Sequence, residues 1–381
     1  MKQSLIRNIL VIKLRHIGDV LLTSPVCRAL KETFPAARLT VLVNRGTEAM
    51  MTGNPLVDEV IPLDRGSKEM PLPARIARAV RFLRAIRARG FDMTVDLTSG
   101  DRPALISLAS GARYRLAVDP GGKGFAGKRH CYTHLAKRQG ELHMVLQNLA
   151  VVGQFGISTI TPAVDFIIPP AARDRVGELL REVGIGEGET LVHIHPTSRW
   201  LFKCWDDAAM ASVIRWLLDG GVKVVVTSSP EQKELAKVAA ILAHLPPHPG
   251  LLSLPGKTSL QELAAFAERA QLFFGVDSAP MHLAAAVGTP VVALFGPSGA
   301  FHWGPWDNEA AAGLDGSLPY ARRNGVQHFG RHTVIQRDWT CVPCGKDGCG
   351  GSKVSRCLME ISSEEVIAVL AEKLRGIAAA D

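Results

Sequence analysis

Residues 272–297 constrain the fold of this chain more than any other segment. The apolar run Leu272-Phe273-Phe274-Gly275-Val276 passes through Asp277-Ser278-Ala279-Pro280 into a helical stretch, residues 281–287, that ends at Gly288. Thr289-Pro290-Val291-Val292-Ala293-Leu294-Phe295 then reads as a second buried strand, broken by Gly296-Pro297. Two continuous apolar runs joined by one helix suit neighbouring parallel strands covered on both faces. Ligands of such sheets gather at the carboxyl ends of the strands, where Asp277 falls. An abrupt strand-to-helix turn also leaves backbone N–H groups at the helix start, and with the helix dipole these attract anions. A carboxylate for sugar hydroxyls beside an anion site suits a sugar nucleotide. The same residues equally suit simple capping, by Asp277 or Ser278 with Pro280 in the first turn.

The alternation extends along the chain. Strands are expected at 9–14, 38–43, 57–62 and 93–97, with helices at 20–34 and 72–89. Residues 100–140, richer in Gly and Arg, read as loops with short helices, and a helix follows at 142–155. Residues 162–170 are proline-bounded and read as a linker. A second series begins there: helices at 171–183, 206–219, 231–244 and 259–267, strands at 190–194, 222–227 and 251–254, then the 272–297 unit. A final helix at 364–377 is expected to pack back on the first domain. The pattern predicts an α/β protein of two doubly wound, Rossmann-like domains facing a cleft, residues 1–165 and 171–362, with 363–381 as the returning helix. After the first strand, Lys13-Leu14-Arg15-His16-Ile17-Gly18-Asp19 has one glycine where the dinucleotide fingerprint needs three. A nicotinamide or flavin enzyme is therefore disfavoured.

No apolar run reaches the length of a membrane span, and the N-terminus lacks a signal-peptide pattern, so a cytoplasmic protein is expected. The net charge of +8 implies anionic partners. Its excess is local. Arg65, Lys68, Arg75, Arg78, Arg81, Arg84, Arg87 and Arg89 face one acid, Glu69, while Ile76, Val80, Leu83 and Ile86 fall at helical spacing among them. This basic amphipathic helix is either a solvated outer face or a surface drawn to an anionic membrane or a phosphorylated acceptor. With no recognition-helix signature or aromatic cluster there, nucleic acid is not expected. Of seven cysteines, Cys341, Cys344, Cys349 and Cys357 crowd the C-terminal segment. The Cys341-x-x-Cys344 spacing suits a structural zinc and the remainder is loose, so zinc and free thiols both stay open.

Three loops that follow strands carry the candidate chemistry. In the first, Gly18 permits a tight turn, and Asp19 at a helix start is an N-cap or a general base. The second is His195-Pro196-Thr197-Ser198-Arg199-Trp200-Leu201-Phe202-Lys203-Cys204-Trp205. Thr197 and Ser198 offer hydroxyls and N–H groups to a phosphate, and Lys203 a charge for a departing diphosphate. Trp200 and Trp205 read as packing residues. The third loop is the Asp277 turn, with His282 five residues on. Glu231, opening the helix after Thr227-Ser228-Ser229-Pro230, is a candidate for ribose hydroxyls or an ordinary first-turn acid.

Residues 9–30, 195–205 and 275–297, in this order and spacing, resemble the bacterial lipopolysaccharide heptosyltransferases. The likeness rests on Gly18-Asp19-Val20, on Thr197-Ser198 with Lys203, and on Asp277-Ser278-x-x-x-His282; Asp338-Trp339-Thr340-Cys341 resembles the heptosyltransferase III branch. The resemblance implies a GT-B fold and a metal-independent, inverting transfer from ADP-L-glycero-D-manno-heptose to a heptose of the lipid A-linked inner core, at the cytoplasmic face of the inner membrane. It implies Asp19 as the base on the acceptor hydroxyl, Thr197, Ser198 and Lys203 on the diphosphate, and Asp277 on the heptose. Ser278, Ala279 and His282 would complete the donor pocket. Arg15, His16, Arg78 and Arg81 are the expected acceptor-side residues. The family's turn often carries Thr-Gly after the Asp; here the methyl of Ala279 reduces room for a phosphate and freedom in φ. Two other readings are a GT-B enzyme using another sugar nucleotide and a non-catalytic protein that binds a phosphosugar.

Overall fold

A computed structural model describes residues 6–64, 70–314 and 318–378. The chain divides into two units, Met1–Ile167 and Ile168–Asp381. Arg65, Lys68 and Glu69 of the basic stretch lie outside the described residues.

The first unit runs β1 (Asn8–Lys13), α1 (Ile17–Leu21), α2 (Ser24–Thr33), β2 (Arg38–Asn44), β3 (Glu59–Leu63), α3 (Leu72–Ala88), β4 (Met93–Asp96), α4 (Asp101–Ser110), β5 (Tyr114–Val118), β6 (His134–Ala136) and α5 (Met144–Gly153). Its strands pair in the order β3-β2-β1-β4-β5-β6, all parallel. Leu10, Ile12, Leu42, Ile86, Phe91 and Ile106 share one buried cluster. One helix expected at 20–34 is two. Pro25, the second residue of α2, has no N–H, and its ring clashes with the carbonyl of Leu21 in a continuous helix.

The second unit runs α6 (Pro170–Glu182), β7 (Leu191–His195), α7 (Asp207–Asp219), β8 (Lys223–Ser228), α8 (Gln232–Leu242), β9 (Leu251–Pro255), α9 (Leu260–Arg269), β10 (Leu272–Val276), α10 (Ala279–Ala286), β11 (Val291–Phe295), α11 (Ala300–Trp303), α12 (Asn308–Ala312), β12 (Gln327–Phe329), β13 (His332–Gln336), α13 (Arg356–Met359) and α14 (Ser363–Ala378). The strand order is β12-β13-β11-β10-β7-β8-β9, parallel except for β12 against β13. Along β10 the pleat sends Phe274 and Val276 to the face covered by α7, and Phe273 to the face shared with Met281 of α10. Burial on both faces is why the strand is apolar throughout. The reciprocal Ser259–Glu262 capping box starts α9.

One expectation is corrected. Residues 100–140 hold β5 and β6 as well as α4. On α14, Val366 and Leu370 are buried in the second unit's core with Ile214 and Leu217 of α7. Of the apolar stripe on the basic helix, Ile86 is buried and Leu83 partly so, whereas Ile76 and Val80 are exposed, as is Leu72. Among the described residues no helix is long and apolar enough to cross a membrane.

Candidate active site

Each sheet has a point where successive connections leave in opposite directions, between β1 and β4 in the first unit and between β7 and β10 in the second. The crevice beyond the strand ends at such a point is where open α/β sheets take ligands.

At the second switch point the loop after β7 meets the turn after β10. Their strands pair Gly275 with His195, and a Cβ at Gly275 would stand 2.6 Å from the His195 carbonyl oxygen. Only glycine allows this approach. Lys203 Nζ donates to Asp277 Oδ2 at 2.6 Å, with the carboxylate nearly buried and the ammonium partly so. Thr197 Oγ1 donates to Glu234 Oε2 at 2.7 Å, both residues being buried. Beneath them Thr227 Oγ1 lies 2.8 Å from His193 Nε2 and 3.0 Å from His195 Nδ1. Burial holds both imidazoles down to about 3, so they are neutral at pH 7. A hydroxyl, with one proton and two lone pairs, can donate to one ring nitrogen and accept from the other, or accept from both, according to the tautomers they adopt.

Ser278 is the N-cap of α10 but makes no capping bond, and its buried Oγ has no hydrogen-bond partner among the described residues. Asp277 is committed to Lys203. Ser278 therefore does not cap the helix with its side chain. Ala279 is the first residue of α10 and is not in the left-handed region, so the turn does not demand glycine there. His282 is buried on the same helix.

In the first unit, Asp19 lies inside the first turn of α1, whose N-cap is His16. Its carboxylate is thus not the helix cap. Gly18 sits within that helix, with no turn there for it to serve. Arg15, exposed, donates to the Thr98 carbonyl at 3.1 Å, and Asn44 Nδ2 donates to the Arg15 carbonyl at 2.9 Å. Arg78 pairs with Asp64 at 2.7 Å, just past the end of β3, and Arg45 reaches the same carboxylate at 3.6 Å. These cations therefore line the carboxyl edge of the sheet that also carries Asp19. Arg81 is exposed on α3.

The structure separates other candidates. Glu231 is exposed as the N-cap of α8, with no side-chain capping bond, while Glu234, one turn on, is the carboxylate that reaches the Thr197 loop. Sequence reasoning missed Glu234 and the Thr227 histidine pair. The signal was an acid amid an apolar helix face and two histidines inside a strand. Trp205 is buried against Phe274 and donates Nε1–H to the Ile361 carbonyl, as packing requires. Trp200 instead is exposed, stacked on Phe202 beneath Arg199. Cys341, Cys344 and Cys349 are exposed and Cys357 is buried, and none forms a disulfide. Among the described residues no three His, Cys, Asp or Glu side chains are grouped to hold a metal ion.

A family model for glycosyltransferase family 9 (heptosyltransferase) matches residues 79–323. Lipopolysaccharide heptosyltransferase 3 of Escherichia coli is 36% identical over 295 residues, 77% of this chain and 85% of the relative. The crystal structure of a family 9 glycosyl transferase from Veillonella parvula superposes with a TM-score of 0.77 at 22% identity, covering 97% of each chain. That of E. coli ADP-heptose lps heptosyltransferase II gives 0.72 at 19%, covering 97% of this chain and 99% of the other. At those identities the solved structures speak for the fold, which is GT-B. With a family model matched over more than half of its length and a relative over a third identical, the chain belongs to glycosyltransferase family 9, the heptosyltransferases.

Proposed function

We propose that this glycosyltransferase moves heptose from ADP-heptose to a heptose of the lipopolysaccharide inner core, with inversion and without a metal. The observation that carries the reading is the Lys203–Asp277 pair at the second switch point, beside Thr197 and the uncapped start of α10. Inverting transfer needs positive charge where the diphosphate departs, and Lys203 with the α10 dipole supplies it. Thr197 and Ser198 hold the diphosphate, Asp277 and Ser278 the sugar hydroxyls, and Ala279 with His282 complete the pocket. Thr197 and Glu234 face the donor as one bonded unit. On the acceptor side a base must take the proton of the attacking hydroxyl, and Asp19 is that base. Arg15, His16, Arg78 and Arg81 attract the anionic core.

The enzyme works peripherally at the cytoplasmic face of the inner membrane. This rests on α3, whose arginines surround the exposed Leu72, Ile76 and Val80. The test is ADP release from ADP-heptose, with and without heptose-deficient core lipopolysaccharide, for wild type and Asp19→Asn. Acceptor-dependent release that collapses in the variant is expected. Release from a different sugar nucleotide alone would move the assignment to another donor, and tight donor binding without turnover would make the protein a phosphosugar binder.

A further inference from the structure

Lys13 closes β1 as a lysine only 2% exposed, in a strand otherwise apolar from Ile9 onward. Its Nζ donates to the Leu97 carbonyl at 3.1 Å, just past β4, and to Asn148 Oδ1 on α5 at 3.0 Å. Asn148 Nδ2 in turn donates to the Leu22 carbonyl at 2.9 Å, at the C-cap of α1. The amide orientation is forced, because an ammonium only donates and a carbonyl only accepts. Leu22 N–H bonds the Gly18 carbonyl, and Thr23 Oγ1 donates to the Asp19 carbonyl at 2.9 Å. A continuous chain of bonds therefore runs from the buried ammonium through one amide to the short helix that carries Asp19.

A buried ammonium without a task is costly. This one lies at the first unit's switch point, where the carboxylates of Asp19 on α1 and Asp96 on β4 favour its charge and Arg15 on the connecting loop opposes it. From α5 it meets the neutral Asn148. We propose that Lys13 is a positioning residue for the transfer: clamped between β4 and α5, it fixes α1 and sets the local charge against which Asp19 works. The inference rests on the reading of Asp19 as the base. Burial brings the Lys13 ammonium down to about 8, within reach of an ordinary assay.

The experiment is the pH dependence of kcat/KM for acceptor in the full-length enzyme, with ADP-heptose and core acceptor as substrates. Wild type is expected to lose rate on the alkaline side as Lys13 deprotonates. Lys13→Met should lower kcat about 100-fold at pH 7, flatten the alkaline limb, and leave the KM for ADP-heptose within about twofold. Asn148→Leu keeps the lysine but removes its acceptor, so the limb should move to lower pH; it serves if the Lys13 variant does not fold. A purely structural role would lower rate or melting temperature without moving the limb. Unmoved limbs in both variants, or Lys13→Met at wild-type kcat, would overturn the proposal. Asp19→Asn separates the two readings: retained activity removes the base and this inference with it. Collapse of Asp19→Asn beside unaltered Lys13 and Asn148 variants removes this inference alone.

Discussion

Lys203 Nζ and Asp277 Oδ2 stand 2.6 Å apart and tie together the two loops on either side of the second sheet's switch point. On the proposed reading, the lysine for the departing diphosphate is the counter-ion of the carboxylate for the sugar, and the two act as one electrostatic unit. Lys203→Ala should reduce kcat about 100- to 1000-fold, the usual loss on removing a preorganised charge from a leaving group. Asp277→Asn should chiefly raise the KM for the donor. Steady-state kinetics with varied ADP-heptose checks both. Equal effects on kcat and KM in the two variants would contradict the division of roles.

The Thr197–Glu234 bond predicts a stability effect as well as a kinetic one. Thr197→Val leaves a buried carboxylate oxygen without its donor and should cost about 1–3 kcal/mol. Glu234→Gln retains an acceptor for the hydroxyl and should cost less. Urea denaturation measures the difference, and a Thr197→Val protein as stable as wild type would show that solvent satisfies Glu234.

His193 and His195 are held neutral by burial, at about 3 against 6.5 for the free side chain. Between those values the unfolded chain binds more protons than the folded one. The stability contribution is therefore complete above pH 6.5 and is lost as pH falls toward 3. The expected slope is about 1 kcal/mol per histidine per pH unit. Melting temperatures from pH 8 to 4 should fall on the acid side, and His193→Gln should flatten the fall. An unchanged slope would place the acid sensitivity elsewhere.

Helix α3 exposes Leu72, Ile76 and Val80 among arginines. Sedimentation with vesicles containing anionic lipid should retain the wild type at low salt and release it at high salt. Replacing Arg75 and Arg81 by Glu should weaken binding at least about 30-fold, at roughly 1 kcal/mol for each charge. Arg78 is a poorer choice, because its charge is already engaged by Asp64. Binding that is equally strong to neutral vesicles would assign retention to the apolar residues alone.

Much of the fold was legible because the strands of both sheets are covered on both faces. β7, β10 and β11 are unbroken apolar or near-apolar runs, and the helices between them carry ordinary caps such as Asp206 and Ser259. The elements that escaped lack that signature. β6 is three residues at a sheet edge, and β13, His332-Thr333-Val334-Ile335-Gln336, has polar ends. Its burial is paid for by distant partners: Gln336 Nε2 reaches the Gly296 and Ser298 carbonyls, and His332 Nδ1 accepts from the Val291 N–H. No local pattern announces such bonds.

The sequence by itself determined two parallel-sheet units and the loops that bear Asp19, Thr197, Lys203 and Asp277, because hydrophobic period and turn chemistry are local properties of the chain. Tertiary structure decided which side chains meet. Lys203 and Asp277 are 74 residues apart, Thr197 and Glu234 are 37 apart, and Lys13 and Asn148 are 135 apart. It also decided that Val366 and Leu370 of α14 join the second unit's core and that half of the α3 stripe faces solvent. Pairing across a sheet depends on strand order and register, and burial of an apolar stripe depends on whether a surface is there to receive it. Both are properties of the assembled fold rather than of any segment.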